Sequence, residues 1–179
     1  MAKFRYEDRA PSVGGLIPEG MVALVVLDTE YTADRVASSG NEYINMQMEM
    51  VGQYNAVNKA WERKSGGKTF DKLVFTEKAF FKIDNFLSSA GKAPVVGTEF
   101  SLSACDVIGW VVYAVINHVE DDRASDPKYK MQAEVSSYIT TKSEYHPHHQ
   151  AVGTAPEPTL APEPAPAPAA PAPEQAPWA

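Results

Sequence analysis

The chain has 179 residues, of which 44% are hydrophobic and 22% are charged. This composition is that of an ordinary globular protein, and the length predicts a single domain. The formal net charge of −7 argues against a protein that coats nucleic acid through its overall electrostatic field. A site for a polyanion must therefore be a local basic cluster in an acidic protein.

Cysteine content and hydropathy bear on the compartment. The single cysteine, Cys105, excludes an internal disulfide and a multi-cysteine zinc site, and we predict that it is a small buried apolar residue. The longest apolar stretches, residues 21–27 and 108–116, are shorter than the ~20 residues that span a bilayer. The first residues lack the apolar core of a secretory signal. We therefore expect a cytoplasmic protein with no membrane contact.

The first half of the chain predicts two strands separated by a loop at residues 32–41. Residues 21–31 follow a turn signal and form a β-rich run. Residues 42–51 alternate apolar and polar side chains, which is the period of a half-buried strand. The predicted buried face carries Ile44, Met46, Met48 and Met50, and the predicted exposed face carries Tyr43, Asn45 and Gln47.

A polar segment at residues 52–67 precedes a predicted third strand at residues 68–75. Thr76 is then a candidate helix N-cap, and Gly91 is a candidate helix end. Between them the apolar residues recur at spacings of three and four, which predicts one helix that packs on a sheet. Its apolar stripe contains Ala79, Phe80, Ile83, Phe86, Leu87 and Ala90.

Residues 109–119 and 129–139 predict the fourth and fifth strands, with a charged turn at residues 120–127. The resulting order, β-β-β-α-β-β, is that of the five-stranded Greek-key barrel called the OB-fold. We therefore predict an all-β domain with one helix over residues 1–145. A β-sandwich or an SH3-like barrel with an inserted helix remains an alternative.

Residues 146–179 predict a disordered Pro/Ala-rich tail. From residue 155 the segment alternates Ala and Pro with scattered Glu, a composition that cannot bury a core. Trp178 is a large aromatic on this solvated segment and is a candidate anchor for a protein partner. His146, His148 and His149 precede the Pro/Ala run and could bind a transition metal, but the start of a disordered tail argues against a closed site. No metal or other cofactor is predicted.

The best candidate site lies at residues 58–72, where basic and aromatic residues are interleaved. Cations that follow phosphates, together with rings that stack on bases, are what sequence-tolerant single-strand binding requires. In an OB-fold this segment joins strands two and three, whose exposed face is the usual nucleic-acid platform. The predicted phosphate contacts are Lys59, Arg63, Lys64, Lys68 and Lys72, and the predicted stacking rings are Trp61, Phe70, Tyr43 and Tyr54.

Two alternatives apply to this segment and its surroundings. Its cations could simply solvate a long hairpin whose Trp61 caps the core. Tyr113 could extend the platform, but Tyr113 and Trp110 lie among β-branched residues and fit a core position better. The turn at residues 120–126 is acidic and therefore unfavourable beside phosphates. Either it faces away from the platform, or the strand assignment misplaces it.

Three short segments carry a family resemblance: LIPEG at residues 16–20, SGN at residues 39–41 and FDKL at residues 70–73. Over residues 4–139 the chain resembles a family of small bacteriophage early proteins. Its members look like OB-type single-stranded-DNA-binding proteins encoded near replication and recombination genes. The resemblance implies a protein of the host cytoplasm. It also implies a tail that recruits replication or recombination proteins, although the tip of this tail is less acidic than usual.

These observations predict a binding protein rather than an enzyme. No phosphate loop, nucleophile elbow or histidine–carboxylate arrangement occurs in the sequence, and the acidic turn lacks EF-hand spacing. The predicted ligand is single-stranded DNA, in replication or recombination. The competing hypothesis is a protein–protein interaction module, an adaptor or inhibitor of a host factor, with no nucleic-acid binding. Both hypotheses leave self-association into a homo-oligomer open.

Overall fold

The computed structural model describes residues 15–126 and 130–150, the last without its side chain. In these ranges the chain forms six strands in one antiparallel sheet, together with a few short helices. This confirms the predicted mainly β architecture. The strands are β1 (Gly20–Val26), β2 (Ala33–Val36), β3 (Glu42–Asn55), β4 (Ala60–Val74), β5 (Val111–Glu120) and β6 (Met131–Tyr138). The helices are α1 (Phe80–Ser89), after a 3-10 turn at Glu77–Ala79, α2 (Ala104–Val107) and α3 (Pro147–Gln150).

The strands follow the order β4-β3-β1-β5-β6, and the short β2 pairs with the start of β3. Because each pairing is antiparallel, the end strands β4 and β6 run in the same direction. Two hydrogen bonds join them: the Thr69 hydroxyl donates to the Ala133 backbone carbonyl at 2.6 Å, and the Tyr138 hydroxyl donates to Asp71 Oδ2 at 2.5 Å. No backbone ladder joins them within residues 15–126 and 130–150, so the sheet curls without closing.

The core lies on the concave side of this sheet. The alternation in β3 is confirmed, because Ile44 and the three methionines of its buried face are at most 2% exposed. Gln47 differs from the prediction: it is 6% exposed rather than solvated. The reason is that Thr32, just before β2, lies against it, with the Thr32 hydroxyl accepting from the Gln47 backbone N–H at 3.2 Å. The chain that leads into β2 therefore covers this part of β3.

Helix α1 packs on the core through part of its predicted stripe. Ile83, Phe86 and Leu87 are buried, whereas Phe80 is half exposed and lies outside the packed stripe. At the predicted start, Thr76 precedes the 3-10 turn and not the α-helix itself. At the other end, Gly91 directly follows the C-cap residue and has a φ of +69°. A left-handed φ of this kind is what ends many helices at glycine.

Three local features differ from the sequence predictions. Strand β4 begins at Ala60, so the polar segment at residues 52–67 is the end of a long hairpin. Strand β2 lies in the segment 32–41 that was expected to be a loop, and helix α2 lies between the predicted helix and the predicted fourth strand, where no element was predicted. Cys105 is exposed rather than buried. It lies on α2, a single turn whose core contacts come from Ala104 and Val107, and this leaves Cys105 on the solvent side.

A β-bulge at Gly66 and Gly67 interrupts the β3–β4 hairpin. Glu49 pairs with Lys68 but the next residue, Met50, pairs with Gly66, so β4 carries an extra residue here. A bulge changes the face to which successive side chains point. After the bulge the even-numbered residues of β4 point outward, and before the bulge the odd-numbered residues do. A matching shift in β3 places Gly52 opposite Ala23 of β1.

We expect Gly67→Ala to destabilise the protein. An added Cβ would lie 2.5 Å from the Gly15 carbonyl oxygen and 2.8 Å from Ile17 Cγ1. Overpacking against backbone costs about 1–3 kcal/mol, measurable by chemical denaturation. Gly15→Ala is the matched control, because its added Cβ would have no atom within 4 Å. Equal unfolding free energies for the two variants would contradict the close approach.

Candidate functional site

The convex side of the β3–β4 hairpin collects most of the predicted site residues. We call this surface the ribbon face. The outward-pointing residues of both strands lie on this face along the whole hairpin, because of the strand register and the bulge. Its cross-strand pairs are Tyr43–Val74, Asn45–Lys72, Gln47–Phe70, Glu49–Lys68, Gly52–Arg63 and Tyr54–Trp61.

One half of the ribbon face is open to solvent. Lys68 and Lys72 are exposed, and Phe70 between them keeps 50% of its surface. The Tyr31 ring meets Phe70 edge to face, with centroids 5.6 Å apart. One edge of the Phe70 ring is therefore held while much of the ring remains free to contact a ligand.

The acidic turn lies beside this open half. A groove of about 960 Å³ has Lys68, Phe70 and Lys72 among its lining residues, and the β5–β6 hairpin contributes the rest of its charge. The charged residues from that hairpin are Glu120, Asp121, Arg123 and Glu134. Of the two alternatives raised by the sequence, a turn facing away from the platform is wrong, because the partial approach of β6 to β4 brings the hairpin end to the lysines. The groove therefore has mixed charge.

The other half of the ribbon face is a packed aromatic cluster. Trp61 contacts Tyr54 across the hairpin at 5.6 Å and Tyr113 of β5 at 4.9 Å between centroids. The indole reaches β5 because only the small residues Gly52 and Ala23 lie between them in the sheet. Tyr113 is half buried on this outer surface and belongs to the same cluster as Trp61.

Residues 140–150, which we call the strap, lie over this cluster after β6 ends. The Trp61 indole N–H donates to the Tyr145 carbonyl at 2.8 Å, and the Tyr145 ring contacts Tyr54 at 5.6 Å. His146 is 6% exposed, its ring lies 4.9 Å from Tyr113, and its Nε2 is 3.0 Å from the Ser89 carbonyl. Residues 146–150, assigned to the tail from sequence, thus make defined contacts. Residues 151–179, with Trp178, lie outside the described residues.

Two cavities flank the strap. One of about 430 Å³ is lined by Trp61 and Arg63, and one of about 610 Å³ is lined by Trp110 and Lys92; both include Tyr113. The Lys92 ammonium lies 5.9 Å from the Trp110 ring centroid, within reach of a cation–π interaction. Trp110 packs against the core, as its sequence neighbours predict, whereas Lys92 was not among the predicted site residues. No spacing in the sequence links them to the hairpin, since only the fold brings them together.

Two predicted cations lie away from the ribbon face. The Lys64 ammonium donates to Gln53 Oε1 at 2.7 Å, and the alternation of β4 places it on the opposite side from Arg63. Lys59 lies in the hairpin turn with a φ of +51° and is exposed. The structure therefore groups Arg63, Lys68 and Lys72 with the aromatic residues.

Three tyrosines near these surfaces have raised pKa values. Burial raises the pKa of Tyr113 above its usual value of 10.0. Burial, followed by the charge of Asp71 and the hydrogen bond to it, raises the pKa of Tyr138 well above that value. The pKa of exposed Tyr145 is also raised, chiefly by the neighbouring charge of Glu144. These phenols remain protonated at neutral pH, so their rings add no negative charge that would repel a phosphate.

Within the part of the chain that the structure describes, no three His, Cys, Asp or Glu side chains form a group that could hold a metal ion. None of the helices in that part is long and apolar enough to cross a membrane. No protein-family model matches the chain, and no curated protein matches it.

Proposed function

We propose that the protein binds single-stranded DNA in replication or recombination, with the ribbon face as its contact surface. The observation that carries this proposal is the register of the β3–β4 hairpin, which aligns Arg63, Lys68 and Lys72 with Phe70 and Trp61 on one face. Cations at this spacing can follow a phosphate backbone, and the rings can stack on bases of any identity. This chemistry requires neither a cofactor nor a metal.

The strand arrangement supports an OB-type fold as part of the same proposal. An OB-fold is a partly open five-stranded Greek-key barrel whose second and third strands form the binding platform. Without the short β2, the strand order here has β4 and β6 approaching in parallel and α1 inserted between β4 and β5. In that arrangement β3 and β4 correspond to the platform strands.

We extend the proposal to the protein's setting. A phage-type single-strand binder would act in the host cytoplasm, where replication and recombination proteins are available as partners. Trp178 is the candidate anchor for such a partner, because a single aromatic side chain can dominate a small interface. The short segments that resemble phage early proteins, such as residues 70–73, support this part of the proposal.

One observation favours the competing function, a protein–protein interaction module. The groove beside the ribbon face is lined by four large apolar side chains that are each 43–50% exposed. They are Leu16, Phe70, Val119 and Met131. Apolar side chains with charges of both signs around them are typical of a surface that contacts another protein. A polyanion alone would not need them.

Titration of the full chain with fluorescently labelled oligo-dT at several salt concentrations separates the two functions. With three cations on the ribbon face, log K should fall against log salt with a slope of about −2. Binding that does not change with salt, or an absence of binding at low salt, would overturn the single-strand proposal. Either result would leave the protein-interaction module as the better explanation of the groove.

A further inference from the structure

The strap occupies the aromatic half of the proposed binding surface. Its Tyr145 carbonyl accepts the Trp61 indole N–H, which is the ring's one polar group. Tyr145 and His146 contact Tyr54 and Tyr113 through their rings, at 5.6 and 4.9 Å between centroids. These contacts use the same aromatic surfaces on which bases would stack.

We propose that the strap is an intramolecular competitor of the nucleic acid. Single-stranded DNA then binds first at the open half, around Phe70, and extends onto Tyr54, Trp61 and Tyr113 only when the strap leaves. This inference rests on the proposed single-strand function and adds a mode of regulation to the same site. It makes the covered half of the ribbon face a second subsite that the strap keeps closed.

The contacts of the strap are suited to reversible release. Tyr145 is 40% exposed, so its removal opens no cavity in the core. The other anchors are few: Thr141 contacts the Ser88 hydroxyl through its N–H at 3.2 Å and its own hydroxyl at 3.1 Å, and buried His146 contacts the Ser89 carbonyl at 3.0 Å and the Tyr113 ring. The covered surface is already lined by cavities on both sides of Tyr113, so releasing the strap joins them into one groove.

Each cavity contributes a cation to the groove once it is open. Arg63, with Glu62 beside it, lines the cavity on one side of the strap, and Lys92 lines the cavity on the other. A cation at each end, with aromatic rings between, repeats the pattern of the open half. Displacing the strap would therefore add phosphate contacts as well as stacking surfaces.

The first experiment compares oligo-dT affinities of Tyr145→Ala, His146→Ala and the parent chain. Each variant removes one aromatic contact of the strap, so affinity should rise by about two- to ten-fold. Lys142→Gln is the matched control: it changes an exposed residue of the strap and should not raise affinity. If His146→Ala loses its cooperative melting transition, Tyr145→Ala decides, because Tyr145 is 40% exposed and lies outside the core.

The second experiment measures hydrogen exchange of the strap amides in the parent chain. The Thr141 amide donates to the Ser88 hydroxyl, and the His146 and His149 amides donate to carbonyls in turns of the docked strap. They should exchange faster when oligo-dT is added. Slower exchange, or an unchanged or reduced affinity in the folded variants, overturns the strap inference while the DNA-binding proposal stands. An absence of binding by every protein at low salt overturns both.

Discussion

Replacing Arg63, Lys68 and Lys72 together with glutamine should lower the affinity for oligo-dT by about 100-fold or more at low salt. Each cation that neutralises a phosphate contributes about −0.7 to the slope of log K against log salt for a single strand. The triple variant should therefore flatten the slope by about 2 in a fluorescence titration. The side chains are outward-facing and none belongs to the buried core, so the fold should be retained.

The control is a second triple variant that changes the net charge by the same amount. Lys78, Lys130 and Lys142 are exposed and lie outside the β3–β4 hairpin, so their replacement by glutamine tests overall charge alone. We expect this variant to lose much less affinity and to keep most of the salt dependence. Equal losses for the two variants would show that the ribbon face is not the phosphate site.

The largest effect on stability is expected for Phe86→Ala. Phe86 is fully buried, stacks on Trp110 at 6.1 Å and meets Tyr138 edge to face at 5.2 Å. Truncating such a side chain leaves a cavity between α1 and the sheet, and the free energy of unfolding should fall by about 3–5 kcal/mol. Urea denaturation followed by circular dichroism measures this change.

Phe81→Ala provides the comparison on the same helix. It removes the same side chain at a position that is 68% exposed, so the unfolding free energy should change by less than about 0.5 kcal/mol. A loss at Phe81 as large as that at Phe86 would mean that α1 packs through a different face. The pair thus tests the orientation of the helix rather than hydrophobicity alone.

Local periodicity was enough to predict the elements whose pattern is uninterrupted. The alternation in β3 identified its buried methionines, and the spacing in α1 identified Ile83, Phe86 and Leu87. The hairpin end at residues 52–67 was missed for a physical reason. The side chains there are mostly polar and contact one another, as Lys64 does with Gln53, so they show no apolar pattern. The bulge also interrupts the alternation. An alternating pattern cannot be detected across a bulge, because the outward-facing residues switch there from odd to even positions.

The candidate site divides in the same way. The open half, with Lys68, Phe70 and Lys72, follows directly from alternation along one strand. The covered half depends on contacts between residues distant in sequence, such as the Trp61 indole with the Tyr145 carbonyl. No local pattern encodes those contacts, nor the position of the acidic turn, because both are set by the way the sheet curls.

The paired glycines at residues 66 and 67 also bear on how related chains should be compared. Deleting one of them would leave Lys68 and Arg63 four residues apart, and regular alternation over four residues returns side chains to the same face. Trp61 and Arg63 would therefore stay on the face that carries Phe70, and the hairpin would lose only the local twist that a bulge adds. A relative one residue shorter at this point would offer a ligand the same side chains, so a one-residue gap here in an alignment would not signal a different binding surface.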